Sequence, residues 1–285
     1  MSDRILIVGL GSIGFRHARN ALALGCEVIG YDVRKLFDVP PKIDWVETLD
    51  QGLAIHPLGV IVATPPETHW QVGYQVSKAG LPCLIEKPLA SDLSGSEGLC
   101  HAFEKQDVLL AVGYQFRHTA ALRRLKAQVA AGEFGTIYAA HAEFASQKWC
   151  SQTYPANMLL EVSHELDALR WFLGDPEQTQ GKVSGNGLLA QGSIDFPWSR
   201  ATFHLDGLAL GYRRRLTLYG TKGQAEWNLD QAENDQAYVD ELAEFLRVCR
   251  GEQAAPSCTG RDGWWAVRTV EAIRRSGESG RWEAA

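Results

Sequence analysis

The sequence predicts an α/β chain. A doubly wound parallel sheet forms its first part, and an α+β domain with a mainly antiparallel open sheet follows. Three observations predict this. Short, continuous apolar runs alternate with helically spaced stretches over the first hundred or so residues. A glycine-rich turn, Gly9 to Gly14, joins the first apolar run to the first helical stretch. Near residue 115 the period changes, and strands with turn residues between them take over. A length of 285 residues accommodates two modest domains with real cores, here residues 1–117 and 118–285.

The elements follow in order. Ile5-Leu6-Ile7-Val8 reads as a strand buried on both faces. Ile13 to Leu24 carries helical spacing and stops at Gly25, a C-cap signal. Glu27 to Tyr31, Val60 to Val62, Cys83 to Ile85 and Val108 to Val112 read as further strands, with helical stretches near 67–79 and 92–105 between them. Right-handed crossovers then give a parallel sheet with helices on both faces. Thr119 to Ala131 reads as a helix ending at Gly132. Thr136–Ala145, Leu188–Phe196, Arg200–Leu205 and Arg214–Tyr219 read as strands with one covered face, and helices near 237–249 and 262–275 close the chain.

Composition excludes several function classes. Apolar residues are 45% and charged residues 22%, an ordinary globular mix, and the net charge of -6 disfavours nucleic acid. The densest basic cluster, Arg213 to Arg215, reads as a solvated strand end. No run of about 18 apolar residues points to a membrane span, and the N-terminus lacks the long apolar region of a signal peptide. The six cysteines form no CxxC pair and read as reduced thiols of a cytoplasmic protein.

Gly9-Leu10-Gly11-Ser12-Ile13-Gly14 reads as GxGxxG between a strand and a helix, the context of a Rossmann dinucleotide site. The first glycine allows the tight turn, the second lets a pyrophosphate approach, and the third lets helix and strand pack closely. The helix N-terminus presents N–H groups to the phosphates. Asp32 ends the second strand, where a carboxylate accepts bonds from the adenosine ribose and repels a 2′-phosphate. NAD is therefore the expected cofactor. NADP is the alternative, because Arg34 is placed to pair with that phosphate.

Glu86-Lys87-Pro88 follows the fourth strand, at the sheet edge where ligands of such folds bind. Lys87 there suits a substrate hydroxyl or carbonyl oxygen, and Pro88 restricts it and admits a cis bond. Glu161-Val162-Ser163-His164-Glu165-Leu166-Asp167 lies in an apolar helical context. Glu161 and His164 share a face, as do His164 and Asp167, so the imidazole is held and tuned for proton transfer. Glu-x-x-His is also a metal-ligand spacing, but no second such pair exists, and no metal is expected.

Together with GLGSIG at 9–14, the segments ATPPETH at 63–69, EKPLA at 86–90, VGYQFR at 112–117, GEFGTI at 132–137, SHELDALRWFLG at 163–174 and LYGTKGQAEW at 218–227 resemble the Gfo/Idh/MocA oxidoreductases over nearly the whole chain. The resemblance implies a Rossmann domain followed by a mixed α+β domain, whose open sheet often forms a homodimer or homotetramer. It implies hydride transfer between NAD(P) and a hydroxyl or carbonyl carbon of a sugar, amino sugar or nucleotide-sugar-like substrate. Lys87 and His164 then act at the reacting carbon. It adds Ser12, Ile13, Thr64, Pro65, His69 and Glu86 to the cofactor site, and Arg117 and Glu161 to the substrate site. Many members carry Asp four residues before the histidine, where this chain has Leu160; Glu161 is the nearest replacement. That pattern resembles a subgroup associated with surface-glycan sugar pathways. Pro155-Ala156-Asn157 stands where a glycine-rich run is usual. The alternatives are a reductase of a non-sugar carbonyl or cyclic substrate, and a non-catalytic dinucleotide-binding regulator.

Overall fold

The computed structural model describes residues 3–34, 42–146, 158–161, 163–185, 187–229 and 231–285, with the backbone alone at 158, 161 and 231. Cys150, Pro155-Ala156-Asn157 and the Glu161 side chain thus lie outside the described residues. Two compact units are present. One comprises Met1–Gln115 and Asp235–Trp264, the other Phe116–Asn234 and Trp265–Ala285. The sequence reading divides once, at 117/118, whereas the chain passes between these units three times, at 115/116, 234/235 and 264/265.

The first unit is built on six parallel strands: β1 (Arg4–Val8), β2 (Glu27–Tyr31), β3 (Ile43–Trp45), β4 (Gly59–Val62), β5 (Cys83–Glu86) and β6 (Leu110–Gly113). They lie in the order β3-β2-β1-β4-β5-β6. Every residue of β4, β5 and β6 is buried, which explains why these strands are continuous apolar runs. The crossovers are helices α1 (Ser12–Ala23), α2 (Leu49–Ala54), α3 (His69–Lys78) and α4 (Leu93–Gln106). The strand order reverses between β1 and β4, and this opens a crevice at their carboxyl ends. Ile5, Ile7, Val28, Ile61 and Leu84 form the core on one side of the sheet. Leu242, Phe245 and Leu246, from much later in the chain, complete it.

The sequence reading omits β3 and α2. Strand β3 has three residues, one of them Asp44, and is too short for a period to show. Helix α2 did carry a signal: Thr48 and Gln51 form a reciprocal capping box.

The second unit holds a seven-stranded sheet: β7 (Ile137–Ala145), β8 (Gln178–Val183), β9 (Leu189–Phe196), β10 (Ser199–Asp206), β11 (Arg213–Gly220), β12 (Gly223–Asn228) and β13 (Glu283–Ala284). Its order is β12-β11-β7-β10-β9-β8-β13. All pairs are antiparallel except β7–β10. Helices α5 (Ala120–Ala130), α6 (Met158–Glu161) and α7 (Ser163–Leu173) belong to this unit, and α7 packs on β7 and β10. Ala140, Ala142, Phe144, Ala201, Phe203 and Leu205 are buried on the covered face, while His141, Glu143, Thr202 and His204 alternate with them on the other. Helices α8 (Gln231–Cys249) and α9 (Gly260–Ser279) each contribute residues to both units. No described helix is long and apolar enough to cross a membrane.

Candidate functional site

The glycine loop has the shape its spacing requires. Gly9 has φ +91, and a side chain there would come within 2.8 Å of the Ala63 and Thr64 backbone. A Cβ on Gly14 would stand 1.8 Å from the Gly9 carbonyl oxygen, so only glycine lets α1 approach β1 this closely. Gly11 differs: nothing lies within 4 Å of its would-be Cβ. No side chain caps α1, so the first-turn N–H groups behind Gly11, Ser12 and Ile13 are left for a ligand. An open space over an uncapped helix N-terminus fits a pyrophosphate.

Asp32 is buried at the end of β2. Its Oδ2 accepts the Leu10 N–H at 2.9 Å, tying β2 to the glycine loop, and its Oδ1 accepts the Arg34 N–H at 2.9 Å. The Arg34 guanidinium folds back onto the same carboxylate, with Nε–Oδ1 at 3.2 Å. Burial pushes the Asp32 carboxyl up, but the hydrogen bonds from Arg34 and Leu10 outweigh it and hold it below its ordinary value. The end of β2 therefore carries a carboxylate beside the glycine loop. Arg34 is neutralised by Asp32 in this arrangement.

Thr64 and Pro65 follow β4 on the same edge. Thr64 Oγ1 accepts from Thr68 at 2.8 Å. His69 is fully buried, with Nδ1 2.9 Å from the Pro88 carbonyl and Nε2 2.8 Å from that of Thr64. Burial lowers its pKa against the pull of those carbonyls. It shapes the cradle from behind by joining two crevice loops. Glu86 ends β5 and is buried, and Lys87 is half-buried on the loop beyond it. The Lys87–Pro88 bond is cis.

In the second unit His164 sits in the first turn of α7, 5% exposed, with its ring 4.4 Å from that of Phe116 and tilted by 30°. Two ion pairs, one buried and one part-buried, hold this helix. Arg117 meets Asp167 in a two-pronged pair, Nε–Oδ2 at 2.9 Å and Nη2–Oδ1 at 2.6 Å. Arg214 meets Glu165 at 2.5 Å and lies between the rings of Phe116 and Phe144. Arg117 was expected at the substrate. It is 3% exposed, and its fork meets Asp167 of the helix that carries His164. Arg214 was expected in solvent; alternation along β11 turns it toward Glu165 instead. Glu161 ends α6, and its side chain lies outside the described residues.

Sequence reasoning missed the Arg214–Glu165 pair and a contact of His17 with Glu86, Nε2–Oε1 at 2.7 Å. His17 was visible as a polar residue on the buried face of α1, three positions after Gly14. For Arg214 no local signal existed, because its partner is 49 residues away.

Residues 4–114 match the Gfo/Idh/MocA family model, described as an oxidoreductase family with an NAD-binding Rossmann fold. A 1,5-anhydro-D-fructose reductase from Ensifer adhaerens is 26% identical over 262 residues, spanning 78% of each chain. An inositol 2-dehydrogenase from Agrobacterium fabrum is 30% identical over 188 residues, which is 61% of this chain and 55% of that one. Among solved structures, GenD2 from gentamicin A biosynthesis, in complex with NAD, superposes with a TM-score of 0.86 at 20% identity. That match covers 100% of this chain and 96% of the other. The glycine loop, the helix without a side-chain cap and the buried carboxylate at the end of β2 accord with that match, and residues 4–114 have a Rossmann fold.

Proposed function

We propose that the protein is an NAD-dependent dehydrogenase or reductase acting at a CH–OH carbon of a cyclic polyol or sugar-like substrate. The observation that carries this reading is the placement of Lys87. It is a half-buried lysine on the loop after β5, beside the crevice that Gly11 and Asp32 line in the same unit. The named substrates of the relatives, inositol and anhydrofructose, share a ring bearing hydroxyl or carbonyl groups.

NAD supplies the hydride acceptor or donor. The chain's own residues do the rest. Asp32 accepts from the ribose hydroxyls and sets the cofactor's register. Lys87 hydrogen-bonds the reacting oxygen and stabilises negative charge on it. His164 takes up or delivers the proton of that oxygen, an imidazole being suited to transfer near neutral pH. Glu161 orients His164 or contacts a further hydroxyl. Arg117 acts through Asp167 by fixing α7. A nucleotide-sugar substrate is the second reading, favoured by the acidic residue followed by Ser163-His164-Glu165-x-Asp167.

The test is NADH formation at 340 nm with myo-inositol, 1,5-anhydro-D-glucitol, common hexoses and UDP-hexoses, with NADP in parallel. Turnover of a polyol or hexose with NAD supports the first reading, and of a UDP-hexose the second. Cofactor binding without turnover of any of them, or of simple ketones in reverse, points to a regulator. Turnover of ketones alone points to a non-sugar reductase.

A further inference from the structure

Beneath the Lys87 loop, inside the first unit, lie three ionisable side chains that the scheme above does not use. His17 of α1 is fully buried, Glu86 of β5 is 7% exposed and Glu241 of α8 is 3% exposed. One nitrogen or oxygen of each falls within 4.8 Å of the others. Burying such groups is costly unless they are paired, so their arrangement calls for a role.

The contacts run in one direction. His17 Nε2 donates to Glu86 Oε1 at 2.7 Å. The other oxygen, Oε2, accepts the backbone N–H of Lys87 at 3.2 Å. A third surface pins the carboxylate: a methyl on Gly113 of β6 would stand 3.1 Å from Glu86 Cδ and Oε2, so the carboxylate lies directly over that glycine. His17 is held in turn. Tyr238 of α8 meets its ring edge-on at 5.9 Å, Arg16 covers Tyr238 at 4.7 Å, and Arg16 pairs with Asp235 at 2.6 Å. The separation of 2.7 Å is that of a hydrogen bond. Two ligands of one tetrahedral zinc stand about 3.3 Å apart, given metal–ligand bonds of about 2.0–2.1 Å. Glu241 closes the cluster, with neither carboxylate oxygen hydrogen-bonded among the described residues. Burial first, and then the charges of Glu86 and Glu244, raise its pKa well above the ordinary carboxyl value.

We propose that His17 is a positioning residue for the reaction: by holding the Glu86 carboxylate from behind, it fixes the backbone of Lys87 and with it the presentation of the lysine at the crevice. The proposal rests on the reading of Lys87 given above. It also links the helix whose N-terminus receives the pyrophosphate to the loop that carries the lysine, since His17 lies one turn into α1.

The test compares wild type with His17→Phe, His17→Gln, Glu86→Gln and Lys87→Ala. Phenylalanine keeps the ring and removes the donor, whereas glutamine restores an N–H at a similar reach. The first readout needs no turnover. Lys87 is reductively methylated with formaldehyde and dimethylamine–borane, and its labelling rate is measured by peptide mass spectrometry against the exposed Lys78. His17→Phe changes the Lys87/Lys78 ratio by about threefold or more and Glu86→Gln moves it the same way, while His17→Gln stays near wild type. The second readout is kcat with NAD and myo-inositol. His17→Phe lowers it by about tenfold, the scale of one hydrogen bond to a charged group, and His17→Gln recovers most of it, with NADH affinity kept in both. An unchanged labelling ratio in both His17→Phe and Glu86→Gln overturns the proposal, as does equal loss in His17→Phe and His17→Gln. If His17→Phe does not fold, Glu86→Gln decides on the same ratio. Lys87→Ala separates the two levels: wild-type turnover in that variant removes the role of Lys87 itself, whereas its loss beside an intact His17→Phe removes only the inference about His17.

Discussion

Gly11 and Gly14 occupy one motif for different reasons, and substitution separates them. Gly11 has φ −77 and open space around its would-be Cβ, so the fold does not require glycine there. Gly11→Val places a branched side chain where a pyrophosphate approaches. It should weaken NAD binding by about tenfold or more, the scale of a lost charge-assisted contact, while the melting temperature stays near wild type; calorimetry and thermal unfolding check both. Asp32→Ser should narrow the preference for NAD over NADP and free Arg34 for a 2′-phosphate, read from the two dissociation constants. A wild-type preference for NADP would contradict the reading of Asp32. Glu241 gives a third residue-level outcome. Its folded-state pKa is raised, so the folded state binds the proton more tightly than the unfolded chain does. That contribution to stability is fully present below the unfolded value of about 4.3 and is lost as pH rises toward the folded value. Glu241→Gln removes the dependence, so its melting temperature should gain on wild type as pH rises above about 4.3. A constant difference across that range contradicts a neutral, buried Glu241.

At the scale of elements, helix α7 is the piece whose placement depends on charge. Asp167→Ala breaks the buried pair with Arg117, and a broken buried pair costs about 3–5 kcal/mol. Asp235→Ala breaks the exposed pair with Arg16 and should cost no more than about 1 kcal/mol. Denaturant midpoints compare the two. The same contrast explains what was legible in the sequence. Strands β1, β4, β5 and β6 were readable because burial on both faces leaves a continuous apolar run. The glycine loop and Lys87 were readable because their spacing is local. Strand β8, Gln-Thr-Gln-Gly-Lys-Val, was not, since a polar strand near a sheet edge carries no apolar alternation. Nor were the pairs His17–Glu86, Arg117–Asp167 and Arg214–Glu165, whose partners stand 69, 50 and 49 residues apart. Long-range polar pairing leaves no local period, and it is what surrounds both Lys87 and His164.

The whole molecule joins two units whose chain segments interleave, with α8 and α9 each serving both. The second unit's sheet carries His141, Glu143, Thr202 and His204 on one face, and a cavity of about 990 Å³ is lined by His141, Glu143 and His204 together with Ser276 to Gly280. We read that face as the subunit interface. Light scattering should give a dimer or tetramer, and Thr202→Arg, in the middle of the face, should shift it toward monomer. A monomeric wild type at micromolar concentration contradicts this. The proposed hydride transfer assigns the reacting oxygen to Lys87 and its proton to His164. Steady-state NADH formation by wild type, Lys87→Ala and His164→Ala on the best compound of the panel, with NAD affinity measured on the same preparations, tests it most directly. The account predicts that His164→Ala lowers kcat by about 10²- to 10⁴-fold, the usual worth of general acid–base catalysis, that Lys87→Ala lowers kcat and raises KM, and that both bind NAD like wild type. Wild-type kcat in His164→Ala, with NAD still bound, would contradict it.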